Sequence, residues 1–270
     1  MNNIEKLNVV LSEKDSPGRL SALQATLVFA WRSVLKIKHV PEQLFDVTAS
    51  PIIFLLMFTY LFGGALAGST VEYLQFVLPG ILVMTVTMIT IYTGLGINND
   101  IKKGVFDRFR SLPIWRPAVI MGALLADAAR YTMASLVVVI LGVILGFRPE
   151  AGITGVAAAI MLLLVFSFGL SWVWIALGLK MRTPESLMAV SMMILFPLTF
   201  VSNVFVSPAT MPGWLEAFVN FNPVTHLVTA VRGLMSGTPE FGEIGWVLAS
   251  TGVITGVFGP LTMRIYRNKQ

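Results

Sequence analysis

Long apolar stretches separated by short polar segments run along the whole chain. A helix needs about 20 mostly apolar residues to cross the hydrocarbon core of a bilayer. Six stretches of the hydropathy pattern meet this requirement, namely 46–67, 74–97, 118–147, 153–179, 187–207 and 244–263. The pattern therefore predicts an all-α membrane protein, with an N-terminal segment over residues 1–45, a domain of six transmembrane helices over 46–264 and a tail over 265–270.

The composition agrees with this pattern. Only 12% of the 270 residues are charged, whereas a soluble domain carries about 25%, so the surface of a soluble fold could not be solvated. The absence of cysteine excludes disulfides, thiolate metal sites and cysteine nucleophiles. The net charge of +5 comes from basic residues that lie between the apolar stretches, and nucleic acid is therefore not an expected partner.

The basic residues are distributed unequally between the two sides of the predicted bundle. Sixteen of the 19 lie before the first span, after the second span, after the fourth span or in the tail. The opposite segments contain only Arg148 and Arg232, and Arg130 lies within the third span. By the positive-inside rule, both termini lie in the cytoplasm. Residues 1–19 mix acidic and basic side chains without an apolar region, so we expect no signal peptide.

An amphipathic helix is predicted over residues 19–38, ahead of the first span. Leu27 and Trp31 belong to its apolar stripe, whereas Arg19 and Arg32 lie largely off that stripe. A helix with tryptophan on one face and bases on the other is typical of the headgroup plane of a membrane. The alternative is a soluble amphipathic helix that packs on a partner.

The segment between the fifth and sixth spans predicts a helical hairpin. Prolines and asparagines interrupt residues 208–243, yet apolar residues such as Trp214 recur there at helical spacing. The run Val224–Met235 has 12 residues, which is too short to cross a bilayer. We expect two short helices, separated near Asn222 and Pro223, that enter the outer leaflet and return.

The cytoplasmic segment between the second and third spans is the candidate site for coupling to another protein. In residues 98–117, Phe106, Phe109 and Leu112 recur with helical spacing among charged residues. Such an amphipathic turn fits a groove on a soluble partner, and an ordinary basic loop that fixes topology is the alternative. The chain contains no Walker A sequence, so any ATP that powers it must be bound by another polypeptide.

The remaining candidates lie within the predicted spans. Asp127 and Arg130 are one helical turn apart, and although ionisable residues in a span are functional candidates, we expect a structural ion pair. Residues chosen by composition and depth to line an apolar path for cargo, with plain packing as the alternative, are Met84, Met88, Tyr92, Phe196, Phe200 and Asn203. Close helix packing is expected at three pairs of glycines, Gly64/Gly68, Gly142/Gly146 and Gly252/Gly256.

The order of these parts resembles the type-2 ABC exporter permeases, in their daunorubicin-resistance branch. Lys103–Pro113, KGVFDRFRSLP, resembles the coupling segment G-x-x-[ED]-R-[LF]-R-[ST]-L-P of that family. The head of the second span, Phe76–Gly80, carries a second resemblance. The third runs from Met211–Trp214 to Asn222–Thr225 and then to Arg232 and Gly233. The resemblance covers nearly the whole chain.

This resemblance implies partners that the residues alone do not. Two permease subunits, identical or paralogous, would surround a midline pathway and rest on two copies of a separate ABC ATPase, which would hold ATP and Mg²⁺, so no cofactor is expected in this chain. The hairpin would cap the pathway on the outside. The interfacial helix would meet the ATPase together with the coupling segment, whose residues are Lys103, Gly104, Phe106, Asp107, Arg108, Arg110, Leu112 and Pro113. Asp107 replaces the commoner glutamate and keeps its charge.

The sequence is therefore interpreted as a permease of the bacterial plasma membrane that exports an amphipathic small molecule, drug-like or lipid-like, and also contacts membrane lipids. One alternative is an ion-coupled secondary transporter, which needs titratable groups at mid-membrane and usually internal repeats. Neither feature is found. The other is an intramembrane enzyme, because Gly169-Leu170-Ser171 resembles the beginning of a rhomboid-type serine motif, although Trp172 stands where that motif has glycine.

Overall fold

The computed structural model describes residues 21–38, 41–105, 115 and 117–268. Within these ranges the chain is helical and contains no β-strand. A short 3₁₀ helix, Pro208–Thr210, precedes the hairpin. The α-helices are α1 (Ala22–Lys38), α2 (Pro41–Ala67), α3 (Thr70–Ile89), α4 (Ile91–Lys102), α5 (Ala118–Leu145), α6 (Gly152–Lys180), α7 (Pro184–Phe200), α8 (Gly213–Phe221), α9 (Pro223–Ser236) and α10 (Phe241–Asn268).

Among the described residues, five helical segments are long and apolar enough to cross a membrane. They are α2, the continuous pair α3 and α4, then α5, α6 and α10. Helix α7 is apolar but has only 17 residues and ends at Phe200. The predicted fifth span, 187–207, therefore extends past the C-terminal end of this helix. The last backbone hydrogen bond of α7 runs from the N–H of Val201 to the carbonyl of Pro197 at 2.9 Å. Residues 201–206 are no longer helical.

Helix α1 begins with a reciprocal cap. The N–H of Gln24 donates to Ser21 Oγ at 3.2 Å, and the N–H of Ser21 donates to Gln24 Oε1 at 3.1 Å, which satisfies two of the backbone donors that a helix start leaves free. One face then packs on the beginning of α5, where a side chain on Gly122 would come within 2.5 Å of Phe29 Cβ. The opposite face leaves Trp31 66% exposed.

Helices α3 and α4 form the innermost element, in agreement with the apolar composition of α3 on all sides. The helix breaks at Thr90, whose hydroxyl donates to the Thr87 carbonyl at 2.6 Å and accepts from Trp174 Nε1 at 2.7 Å. Beyond the break, α4 crosses α6 at very short range, because a Cβ on Gly178 would lie 2.5 Å from the carbonyl oxygen of Gly94. Glycine is therefore required at this crossing for steric reasons.

The glycine pairs that the sequence singled out behave differently from one another. A side chain on Gly142 would collide with Leu78, so close packing is confirmed there. A Cβ on Gly64, Gly68, Gly146, Gly252 or Gly256 would meet no atom of the described chain within 4 Å, and within this chain the prediction is wrong for those five. Spacing alone identifies small residues on one helix face, but it does not say whether another helix crosses that face.

Two short helices, α8 and α9, follow the 3₁₀ turn and correspond to the predicted hairpin. Asn222 joins them and caps α9, since its Oδ1 accepts from the N–H of Val224 at 2.9 Å. Pro223 occupies the first position of α9, which suits its fixed φ. Asn222 Nδ2 also donates to the carbonyls of Leu198 at 2.8 Å and Val201 at 2.7 Å. The junction of the hairpin is thus tied to the end of α7.

Candidate functional site

A cavity of about 240 Å³ lies between α2, α3, α4 and α7. Its wall is made mainly of methionine, phenylalanine and isoleucine side chains, with the residues Asp46, Ser50, Phe54, Met84, Thr85, Met88, Ile89, Ile91, Tyr92, Met192, Phe196 and Phe200. The structure thus brings together five of the six residues proposed from the sequence to line a path, Met84, Met88, Tyr92, Phe196 and Phe200. The sixth, Asn203, does not line this cavity.

Aromatic rings continue one wall of the cavity beyond the end of α7. The rings of Phe196 and Phe200 are stacked, with centroids 4.3 Å apart. Phe205 lies 5.5 Å from Phe200 and 4.1 Å from Phe58 of α2. These flat, polarisable surfaces can contact an aromatic or aliphatic molecule without a directional hydrogen bond.

Among its described lining residues the cavity has one acidic group, Asp46, which is not among the site residues expected from the sequence. Asp46 lies in the second turn of α2, and its Oδ2 accepts a hydrogen bond from the hydroxyl of Tyr92. Asp46 is the first residue of the predicted span 46–67 and was treated as part of its boundary. An acid at the edge of an apolar stretch was the available signal, but the pairing with Tyr92, 46 positions away, required the fold.

A polar network lies on the other side of Tyr92, between α4, α5 and α6. Arg130 Nη1 and Asp127 Oδ1 are 2.9 Å apart, and the two side chains are only 7% and 4% exposed. This confirms the expected ion pair. Asp127 also accepts a hydrogen bond from Thr93 of α4. A buried pair of opposite charges needs such additional hydrogen bonds to offset the loss of water.

Hydroxyl groups extend this network to α6. The Tyr131 and Ser171 oxygens are 2.9 Å apart, and Ser171 Oγ donates to the Ser167 carbonyl at 2.7 Å. Tyr131 is also 3.2 Å from the Thr93 oxygen. Ser171, the serine of the enzyme alternative, thus takes part in packing α6 against α5 and α4.

Tyr92 is the wall that the cavity and the network share. The guanidinium carbon of Arg130 lies 5.5 Å from the centroid of the Tyr92 ring. A second cavity, of about 60 Å³, lies on this side of the ring and is also lined by Arg32 and Asp100. Arg32 Nη1 is 3.3 Å from Asp100 Oδ2. Charged groups therefore reach from the bundle to helix α1, the predicted interfacial helix.

The hairpin is held to α3 by Arg232 of α9. Its guanidinium donates to the Phe76 carbonyl at 3.2 Å and to the Asn203 carbonyl at 3.2 Å, and lies 4.1 Å from the centroid of the Phe76 ring. Burial lowers the pKa of Arg232 to about 10, so the side chain keeps its charge at neutral pH. Asn203 Nδ2 donates to Thr229 of α9 at 2.8 Å. Trp214 of α8 is 76% exposed.

The coupling segment begins at the end of α4. The N–H of Lys103 donates to the Asn99 carbonyl at 3.0 Å, and Gly104 follows with a φ of +65°, a value that suits glycine. Lys102 Nζ lies 3.7 Å from Glu185 Oε1 at the start of α7. The other residues of the predicted coupling segment, Phe106, Asp107, Arg108, Arg110, Leu112 and Pro113, lie outside the described residues, as does Arg19.

Several long apolar helices around an apolar cavity are the arrangement of a membrane transport subunit. The chain belongs to the ABC-2 type transporter family, whose family model matches residues 24–236. It is therefore a permease subunit of the bacterial inner membrane, and ATP is hydrolysed by a separate ABC ATPase partner. Permeases of this family pair with one another.

Relatives cover most of the chain. A daunorubicin resistance ABC transporter permease protein, DrrB1, of Streptomyces coeruleorubidus is 52% identical over 264 residues, which are 98% of this chain and 93% of that protein. The ycf38 protein of Cyanophora paradoxa is 25% identical over 79% of this chain and 75% of its own. A doxorubicin resistance ABC transporter permease protein, DrrB, of Mycobacterium tuberculosis (strain ATCC 25618 / H37Rv) is 22% identical over 77% of this chain and 76% of its own.

Proposed function

We propose that this chain exports amphipathic, drug-like molecules through the cavity between α2, α3, α4 and α7, driven by ATP on its partner. The observation that carries the proposal is the convergence of Met84, Met88, Tyr92, Phe196 and Phe200 on one cavity. Methionine and phenylalanine adapt to apolar molecules of different shape. The names of two relatives, which refer to daunorubicin and doxorubicin resistance, support a cargo of this kind.

The size of the cavity favours a pathway shared by two permeases. Its volume of about 240 Å³ falls just below the roughly 300–1,000 Å³ of pockets that enclose a drug-sized ligand. A second permease facing α2 and α7 would supply the opposite wall. Phe196 of α7 is 57% exposed and Met193 is 80% exposed, which leaves an apolar surface for that contact.

For the membrane topology we propose six spans, with α7 as the fifth. Seventeen helical residues extend about 26 Å at 1.5 Å per residue, and residues 201–206 would complete the crossing inside the protein, where non-helical backbone is tolerated. The distribution of basic residues supports cytoplasmic termini. The hairpin α8–α9 would then lie on the outside, above the aromatic wall that ends at Phe205.

For the coupling to ATP hydrolysis we propose contacts between two ATPase copies and the segment Lys103–Pro113, with α1 beside it. ATP and Mg²⁺ would be held by the ATPase. The proposal is supported by chain connectivity, because this segment joins α4 directly to α5, so a force on it reaches both helices. The contact of Lys102 with Glu185 would carry the same motion to α7.

The proposed function is tested by reconstituting the chain with its ATPase partner in proteoliposomes and measuring transport of the fluorescent amine dansylcadaverine. We expect transport that needs ATP and persists when a protonophore collapses the proton gradient at constant ATP. Transport that follows the proton gradient without ATP would contradict the proposal. Replacing Asp107 by arginine should impair ATPase association and transport, and unchanged transport would remove the coupling segment from the proposal.

A further inference from the structure

Asp46 is a carboxylate that faces an otherwise apolar cavity. Its Oδ2 accepts a hydrogen bond from Tyr92, whereas its Oδ1 accepts none from a residue that the structure describes. The cavity around it is lined by side chains such as Met84, Met88 and Phe196. A charge in such surroundings is costly unless an opposite charge or several hydrogen-bond donors compensate it.

Two other acidic groups that the structure describes near the cavity already have a basic partner. Asp127 pairs with Arg130, and Asp100 pairs with Arg32, at 2.9 and 3.3 Å. In the part of the chain that the structure describes, no basic side chain forms an ion pair with Asp46. Among the acids that the structure describes around this cavity, Asp46 is therefore the one whose charge is left for a ligand.

Tyr92 holds this carboxylate in a defined place. The tyrosine is 9% exposed, and Arg130 on the other side of the ring restricts its movement. Since Tyr92 uses only Oδ2, the remaining oxygen can accept a charge-assisted hydrogen bond from an ammonium group. The stacked rings of Phe196 and Phe200 belong to the same cavity and can contact the apolar body of the same molecule.

We propose that the cavity selects amphipathic cations, with the amino group of the cargo on Asp46 and its apolar body against the methionine and phenylalanine side chains. This inference rests on the proposed function of the cavity and adds the chemical class of the cargo. Intramembrane acids are expected to mark substrate sites when they face a cavity. Asp46 is then the specificity-determining residue, and Tyr92 positions it.

The test uses two fluorescent probes that share the dansyl group and the pentyl chain, one with a charged end and one with a neutral end. Dansylcadaverine carries a primary ammonium group, and its N-acetyl derivative is neutral. Binding of each probe to the full chain in phosphatidylcholine nanodiscs is measured by the fluorescence of the dansyl group. We expect wild type to prefer the amine by about tenfold or more, in line with the strength of a hydrogen bond to a charged group. In Asp46→Asn this preference disappears, while affinity for the neutral probe stays.

Two further variants separate charge from structure. Asp46→Asn keeps an oxygen that can accept from Tyr92, so retained binding of the neutral probe reports an intact cavity. Tyr92→Phe removes that hydrogen bond but keeps the carboxylate, and it should still prefer the amine. Glu72→Gln is a matched control, because Glu72 is an exposed acid in the first turn of the neighbouring helix α3 and should not change the preference.

The outcomes distinguish the inference from the function on which it rests. Equal preference for the amine in wild type and Asp46→Asn, or loss of the preference in Glu72→Gln, would overturn the role of Asp46 and leave the cavity as the cargo site. If the preference for the amine also disappeared in Tyr92→Phe, the hydrogen bond between Tyr92 and Asp46, and not the carboxylate alone, would be responsible for it. If wild type bound neither probe, the proposed function of the cavity itself would fail.

Discussion

Tyr92 separates two regions that are built from different chemistry. On one side, the cavity is lined by methionine and phenylalanine side chains, several of them partly exposed. On the other side, Asp127, Arg130, Thr93 and Tyr131 are buried and joined by hydrogen bonds and an ion pair. The polar network holds α4, α5 and α6 in one arrangement, whereas the cavity leaves space between α2, α3, α4 and α7. A transport subunit needs both, because the helices must move as units around a site that can change shape.

The largest effect on the free energy of unfolding is expected from a change that leaves one buried charge without its partner. Asp127→Leu would leave the Arg130 guanidinium buried without a counter-charge, and removing one partner of a buried ion pair lowers the free energy of unfolding by about 3–5 kcal/mol. Unfolding in mixed micelles with increasing SDS measures this loss.

The double variant Asp127→Leu/Arg130→Met is the control for that prediction. It replaces both charges by apolar side chains, which is often close to neutral for stability. We therefore expect it to regain most of the stability that the single variant loses. A single variant as stable as wild type would contradict a structural role for the pair.

The next effect concerns the crossing of α4 and α6, which brings the network together. Gly178→Ala places a methyl group 2.5 Å from the Gly94 carbonyl oxygen, and such overpacking costs about 1–3 kcal/mol. Gly256→Ala is the matched control, since a Cβ there meets no atom of the described chain within 4 Å. The same unfolding assay should show a loss only for Gly178→Ala, and equal losses would show that the crossing is not tight.

A smaller effect is expected for the pair that joins α1 to the bundle. Arg32 and Asp100 are 32% and 12% exposed, so water screens their attraction. A double-mutant cycle with Arg32→Gln and Asp100→Asn should give a coupling energy of about 1 kcal/mol that falls with added salt. A coupling energy as large as the loss of about 3–5 kcal/mol expected when Asp127 is removed from Arg130 would mean that α1 is fixed much more firmly than this geometry indicates.

The smallest effect on stability is expected in the cavity. Phe196 is 57% exposed, so Phe196→Ala should change the free energy of unfolding by only about 0.5 kcal/mol. The same change removes one ring of the stacked pair and should lower dansylcadaverine transport severalfold. Loss of stability with unchanged transport would reverse the assignment of the two regions.

Much of the fold followed from one-dimensional patterns. The six apolar stretches fall mostly on helices, because a chain that must satisfy its own backbone in lipid has few alternatives to helices. The fifth stretch, 187–207, runs past the end of α7 at Phe200. The spacing of Asp127 and Arg130 on one helix was enough to predict their ion pair. The pairing of Asn222 with Pro223 likewise indicated a helix start.

What the sequence could not supply depends on contacts between distant segments. Asp46 meets Tyr92, and Thr93 meets Asp127, only after α2, α4 and α5 have packed. Of the two glycines at the tight crossing, Gly178 has no small residue four positions away on either side. Asn203 was assigned to the path by depth, but its side chain points to Thr229, because helical depth does not determine which way a side chain faces.

The most direct measurement of cargo passage uses the absence of cysteine from this chain. Met192→Cys places a single thiol in the cavity, and Val253→Cys places one on α10, where Val253 is 66% exposed and outside the cavity. After complete reaction with N-benzylmaleimide, ATP-driven dansylcadaverine transport should stop in the first variant and continue in the second. Transport that continues with the cavity thiol fully labelled would contradict passage of cargo through this cavity.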